Sequence, residues 1–321
     1  MKRLLTIRLL WASILIALVS FFGLFILAGN GTFGEMPQFE QLENPNTNLA
    51  TQIISSDGEI LGKYYFNDNR TPITYDELPK NLVDALIATE DERFYNHPGI
   101  DIRSTLRAII FLNTRGGSST ISQQLARQLF VGVRSRNIIQ AVLQKAREWV
   151  LAIQIEKRYT KNEIIAMYLN IYDSNNAADG VRSASKIYFN KIPDSLLIED
   201  AATLVGMLKN SSLYNPLRRP KLVTERRNVV FQQMYRNDMI TKDERDSLSL
   251  LPLNIDYSPE SHREGLAHIS SSFFPFNFIF LHLSDLIADN LIKVSTCPSL
   301  RSLNGGVGFS SDSLFWEKNS D

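Results

Sequence analysis

Cysteine is almost missing from this 321-residue chain. The single Cys297 excludes an internal disulfide framework and a cysteine-based zinc site. Histidine is also scarce. His97, His262, His268 and His282 show no His-x-x-x-His or His-Glu-x-x-His spacing, which argues against a zinc hydrolase. There is no excess charge: Lys+Arg and Asp+Glu stand at 34 each, so no nucleic-acid footprint covers the surface and no nucleic-acid partner is expected. No Gly-Lys-Ser/Thr phosphate loop and no Lys-Thr-Gly triplet occur. With 44% hydrophobic and 21% charged residues, the chain is nonetheless globular in composition and long enough for about two domains.

One stretch lacks charge altogether. Leu9 to Ala28 is an apolar run of 20 residues, preceded by Lys2, Arg3 and Arg8 and followed by no basic residue until Lys63. At ~1.5 Å per residue it is long enough for the ~30 Å hydrocarbon core of a bilayer. The basic flank predicts a single-pass transmembrane helix within residues 1–29, with the amino terminus inside and the remainder outside the membrane. A cleaved signal peptide would have a shorter apolar core and a small-x-small site, which Ala28-Gly29-Asn30 does not supply.

Residues 30–76 read as a Gly/Asn/Pro-rich linker followed by a β hairpin, two β-rich runs flanking Asp57-Gly58. From Leu78 to about Leu250 the pattern is helical. Pro79 opens a helix with Val83, Leu86, Ile87 and Glu90 on one stripe; residues 141–157 are apolar nearly all round, which predicts a buried helix. Thr160 and Glu163 form a capping box for the next one, and helices are expected over 199–209 and 222–239. Residues 266–321 lose periodicity, carry 11 serines in the last 55 positions and include the apolar Phe273–Leu281; they are expected to be a tail foreign to the preceding fold and disordered. The fold class is therefore mainly α, with residues 77–265 as the principal domain.

Four stretches carry chemistry. In Glu90-Asp91-Glu92-Arg93-Phe94-Tyr95-Asn96-His97-Pro98-Gly99, Glu90 falls on the buried stripe, where a carboxylate is costly unless paired and suited to act as a general base. A solvated helix end is the structural alternative. Gly116-Gly117-Ser118-Ser119-Thr120-Ile121-Ser122-Gln123-Gln124 lets backbone approach a ligand and offers neutral hydrogen bonds to sugar or phosphate oxygens; it also reads as a loop followed by a serine-capped helix. Lys145 and Glu148 share one face of an apolar helix, as a catalytic cluster or a structural ion pair. Tyr168-Leu169-Asn170 precedes Gly180 and Tyr188-Phe189; between them Ser183-Ala184-Ser185-Lys186 fits the short Ser-x-x-Lys pattern of penicilloyl-serine enzymes, but with no Lys-Thr-Gly and too little chain for an acyl-transfer domain it is not expected to supply a nucleophile.

In this order and spacing, with Lys209-Asn210 through Tyr214-Asn215-Pro216 and Arg226-Arg227-Asn228 as a fifth element, the motifs resemble those of the family 51 peptidoglycan glycosyltransferases, the amino-terminal catalytic module of class A penicillin-binding proteins. The resemblance covers roughly residues 40–265; the transpeptidase module of such proteins is not seen, as in a truncation. Arg127 stands where a lysine is common, and Ser174–Asp179 lacks glycines often found there.

The resemblance implies a lysozyme-like helical fold and inverting transfer of a lipid-linked glycan strand onto lipid II, with release of undecaprenyl pyrophosphate. It implies Glu90 as general base. Lys145, Arg147 and Arg127 would neutralise the pyrophosphate, with Glu148 orienting them or holding a divalent Mg or Mn ion. Asp91, Ser119, Thr120, Gln123, Gln124 and Asn170 would line the substrate. Ala108–Leu112, an apolar segment between Arg107 and Arg115, reads either as dipping into the outer leaflet or as core packing, and other cell-wall synthesis proteins would be partners on the periplasmic side of the inner membrane. Two rivals are a lytic transglycosylase of lysozyme-like fold, which cleaves rather than builds the polymer, and an inactive membrane-anchored scaffold.

Overall fold

The computed structural model describes residues 2–34, 36–37, 51–55, 60–64, 69–110, 119–259 and 292–294. The expected Asp57-Gly58 turn, the Gly116-Gly117-Ser118 loop, Phe111 and Leu112, and Phe273–Leu281 lie outside the described residues. The chain divides into two compact units.

The larger unit is drawn from Met1–Asn46, Ile73–Tyr172 and Pro193–Asn254. It opens with helix α1, Lys2–Gly29. The side chains of α1 are described only in part, and among the described residues no helix is long and apolar enough to cross a membrane. Next come α2 (Lys80–Glu90), α3 (Ile102–Ile110) and α4 (Ile121–Ala126). A π-helical turn, Arg127–Val131, continues from α4. Then follow α5 (Ile138–Glu156) and α6 (Lys161–Ile171).

Local sequence explains several of these boundaries. Pro79 sits at the N-cap of α2, where its missing N–H costs nothing. Thr120 and Gln123 form a capping box on α4, and Thr160 and Glu163 the expected one on α6.

In the second unit, drawn from Thr47–Pro72, Asp173–Ile192 and Ile255–Asp321, strands β1 (Thr51–Ser55) and β2 (Ile60–Tyr64) pair antiparallel, and α7 covers Gly180–Phe189. The larger unit resumes with α8 (Ile198–Met207), α9 (Pro220–Arg236) and α10 (Lys242–Leu250). A last strand, β3 (Ile292–Val294), completes the sheet in the order β2-β1-β3.

Two helical layers build the core of the larger unit. In one, α2, α8 and α9 pack together through Leu82, Leu86, Ala201, Val205, Val230 and Phe231, all fully buried. In the other, α4 packs on α5 and α6 through Ile121, Leu125, Leu151, Ile155 and Ile164. Fully burying each large aliphatic side chain contributes roughly 1.5–3 kcal/mol. The buried Arg227 has a backbone role: it donates to the carbonyls of Leu251 (2.6 Å) and Pro252 (3.1 Å), holding the chain that leaves α10.

α5 corrects the expectation of a wholly buried helix. Its carboxy-terminal half is buried at Leu151, Ala152 and Ile155, but Ile138, Ile139 and Val142 are 80%, 71% and 53% exposed. Its apolar circumference serves two environments, core at one end and an open apolar surface at the other. α1 packs along this helix: Phe25 stacks on Trp149 with centroids 5.4 Å apart, and Ala28 is buried.

In the smaller unit the Asn69 N–H donates to Asp179 Oδ2 (2.9 Å), and the Ser183 hydroxyl donates to the Asn69 carbonyl. The loop before α7 takes left-handed backbone at Asn175, Asn176 and Ala177 (φ 62°, 55° and 59°), where the sequence lacks the glycines such conformations favour. It is held by Ser174 N–H to Ala178 O (3.0 Å) and by the Tyr188 hydroxyl donating to Ser174 O (2.6 Å).

Candidate active site

The site is organised by α4, one short helix whose adjacent glutamines point to different neighbours. Successive residues of a helix lie about 100° apart, so Gln123 and Gln124 address two clusters.

The Gln124 side meets the end of α2. Its Nε2 donates to Glu90 Oε2 at 2.9 Å, and its Oε1 accepts from the Tyr168 hydroxyl of α6 at 3.0 Å. Val83, Leu86 and Ile87 are buried, as the stripe predicts, while Glu90 at the last turn is half-buried. Burial lifts the Tyr168 phenol well above its ordinary range; the Glu90 charge adds to this, then Tyr172, with Arg127 acting in the opposite direction. The phenol therefore keeps its proton and donates it.

The Gln123 side meets α5. Lys145 Nζ donates to Glu148 Oε2 (2.7 Å), Ser119 Oγ (2.8 Å) and Gln123 Oε1 (3.3 Å). Glu148 is buried, and the Lys145 side chain retains a quarter of its exposure. Burial pushes the Lys145 ammonium below its ordinary value; Glu148 pulls it back up, and Arg127 and Arg134 lower it further. The result is a cation with all three donor directions fixed by oxygen acceptors and one edge open.

Asp91 and Thr120 form the frame between the clusters. The Asp91 carboxylate accepts the first α4 N–H, from Ile121, at 3.1 Å and lies 3.1 Å from His97 Nε2. His97 Nδ1 accepts the Gly99 N–H (3.2 Å), so its proton sits on Nε2 and points at Asp91. The Thr120 hydroxyl donates to Gly99 O at 2.6 Å. Gly99 has φ +94°, and a Cβ there would stand 2.9 Å from the Ala152 carbonyl, so only glycine fits. These residues align α2, α4 and α5.

Two expected ligands lie elsewhere. Arg147, two residues from Lys145 and so on another face of α5, packs its guanidinium against Gly34 after α1. Asn170 spends both ends of its amide on Ile73, accepting its N–H (3.0 Å) and donating to its carbonyl (2.8 Å). Arg127 opens the π-helical turn, a feature frequent at functional sites, where its charge acts on both Lys145 and Tyr168. Ser183 is fully buried and Lys186 bonds Asn190, so the Ser-x-x-Lys pattern forms no nucleophile site.

Tyr168 belongs to the Tyr168-Leu169-Asn170 motif, but local pattern assigns it no role. The available signal was a polar-tipped aromatic on the buried stripe of Ile164 and Ile165, which requires a partner inside.

Among the described residues no three His, Cys, Asp or Glu side chains gather into a ligand group, so a magnesium ion at Glu148 would draw its remaining oxygens from water and substrate phosphate. One Glu148 oxygen already accepts from Lys145.

Residues 57–235, more than half of the chain, match the family model described as Transglycosylase. The chain is 36% identical over 231 residues to penicillin-binding protein 1A of Escherichia coli (strain K12), covering 70% of this chain and 26% of that protein. It is 37% identical over 210 residues to penicillin-binding protein 1A of Haemophilus influenzae, covering 64% and 24%. It is 36% identical over 208 residues to penicillin-binding protein 2a of Streptococcus pneumoniae, covering 65% and 27%. The chain thus spans about a quarter of the length of the curated relatives it matches.

Proposed function

This chain belongs to the Transglycosylase family, and on that premise we propose that it is a peptidoglycan glycosyltransferase that polymerises lipid II for cell-wall synthesis. The observation that carries the reading is the arrangement on α4: a carboxylate held by Gln124 on one side, and a desolvated lysine held by Glu148, Ser119 and Gln123 on the other.

The two groups suit the two ends of the reaction. The acceptor, the GlcNAc 4-hydroxyl of lipid II, attacks the anomeric carbon of the lipid-linked strand as its proton passes to Glu90. The bond from that carbon to the pyrophosphate oxygen breaks, and configuration inverts. Undecaprenyl pyrophosphate leaves as an anion, which needs a cation rather than an acid. Lys145 is that cation, Glu148 orients it, and Arg127 adds charge.

The membrane placement has separate support. α1 carries the uncharged run Leu9–Ala28 and exposes Leu9, Trp11, Leu15, Ile16, Phe22 and Ile26. Ile102 and Leu106, four apart on α3, and Ile138 and Ile139 on α5 add exposed apolar surface. We read α1 as the single-pass anchor, with residues 77–265 as the catalytic domain on the periplasmic side; the segment expected to be a foreign tail contributes β3 to the second unit.

The test is lipid II polymerisation by the full chain in detergent. Glu90→Gln keeps the shape and removes the base, and a loss of roughly 10²–10⁴ in rate is expected. Turnover within threefold of the unmodified chain would remove Glu90 from the mechanism.

A further inference from the structure

We propose that Tyr168 is a positioning residue for the reaction, acting through Gln124 to set which oxygen of Glu90 receives the substrate proton; this rests on Glu90 being the base. Tyr168 is fully buried, yet its hydroxyl meets one hydrogen-bond acceptor, Gln124 Oε1 at 3.0 Å. A glutamine amide can occupy a site in two orientations that differ by exchange of oxygen and nitrogen. With a protonated phenol donating to Oε1, the NH2 group must face Glu90, and it does so at 2.9 Å from Oε2. In the reverse orientation an amide oxygen would face a carboxylate oxygen, both acceptors, and the contact would be repulsive. Tyr168 and Glu90 therefore specify the same amide orientation from opposite ends.

The consequence falls on Glu90. Its Oε2 is committed to Gln124, while Oε1 has no hydrogen-bond partner among the described residues. That leaves one oxygen for the acceptor hydroxyl. Without the phenol, the amide keeps its NH2 toward Glu90 but loses the anchor at its other end, so the amide and carboxylate can swing together and the base spends much of its time misdirected. The loss would appear in turnover and not in substrate capture, because Tyr168 is sealed in the core.

A double-mutant cycle tests this in the full chain, assayed by lipid II polymerisation. Tyr168→Phe keeps the ring and removes only the hydroxyl. It should lower kcat about tenfold with KM within twofold. Gln124→Leu should lower kcat at least as much, and adding Tyr168→Phe to it should cost less than twofold more. Additive losses in the cycle, or a Tyr168→Phe variant with unchanged kcat, would overturn the proposal. So would a loss confined to thermal stability. Glu90→Gln separates the two levels: if it retains turnover, the base assignment itself fails; if it is inactive while Tyr168→Phe is normal, only the positioning role fails.

Discussion

Glu148→Gln is the most informative perturbation of the Lys145 cluster because it removes charge and keeps shape. Breaking a buried ion pair by deleting one partner costs ~3–5 kcal/mol. Here the lysine side chain is a quarter exposed and the new amide can still accept its hydrogen bond, so the loss should be nearer ~1–2 kcal/mol. For a domain of this size that lowers the melting temperature by ~2–8 °C. Turnover should fall more, by ~10²–10³, as for removal of a preorganised charge-stabilising group.

The pH dependence gives a signed check. Burial sets the folded Lys145 below its ordinary value of 10.5. Between the lowered value and 10.5 the unfolded chain therefore binds more protons than the folded one, and stability rises with pH across that window. Glu148 is the group that pulls Lys145 back up, so its replacement widens the window downward. The variant's stability deficit should be largest at neutral pH and shrink as pH rises. Its turnover should do the reverse, because a neutral amine cannot hold a departing pyrophosphate. Melting temperature and lipid II turnover, measured in parallel between about pH 6 and pH 10, would show the two curves diverging. Turnover within threefold at every pH, with a constant melting deficit, would refute the assignment.

Two further variants probe the scaffold. Ala177→Gly should raise stability by about 0.5–1 kcal/mol, since a left-handed alanine costs ~1–2 kcal/mol and glycine returns part of that as chain entropy; a lowered melting temperature would show that the loop before α7 is not left-handed there. Gly34→Ala places a Cβ 2.8 Å from Arg147 Nη1 at φ +129°; it should cost about 1–2 kcal/mol and alter the fluorescence of Trp149, whereas an unchanged melt and spectrum would exclude the packing of α1 on α5.

What the sequence made legible was set by separation along the chain. The box Thr160–Glu163, the Pro79 cap and the pair Lys145–Glu148 close within a few residues, and local pattern suffices for them, whereas the expected serine cap before α4 proved to be Thr120. The contacts that divide one ligand from another do not. Asn170 has the composition of a sugar-binding residue, but its partner is backbone 97 positions away. Tyr168 reaches Gln124 across 44 positions. Arg147 and Lys145 are neighbours in sequence and face different surroundings in space, which only the packing of α1 against α5 decides. An all-round apolar pattern likewise does not say which turns of α5 are covered: hydrophobicity favours removal from water and does not name the partner.

The close of α1 onto α5 carries a mechanical consequence. Ala28 is buried, Phe25 stacks on Trp149, and Trp149 stands one helical turn from Lys145. There is no slack between the expected anchor and the helix that bears the cation. Under the proposed function, with α1 as the anchor, a catalyst held this way would add each sugar at one height above the bilayer, and the product strand rather than the enzyme would have to shift between additions.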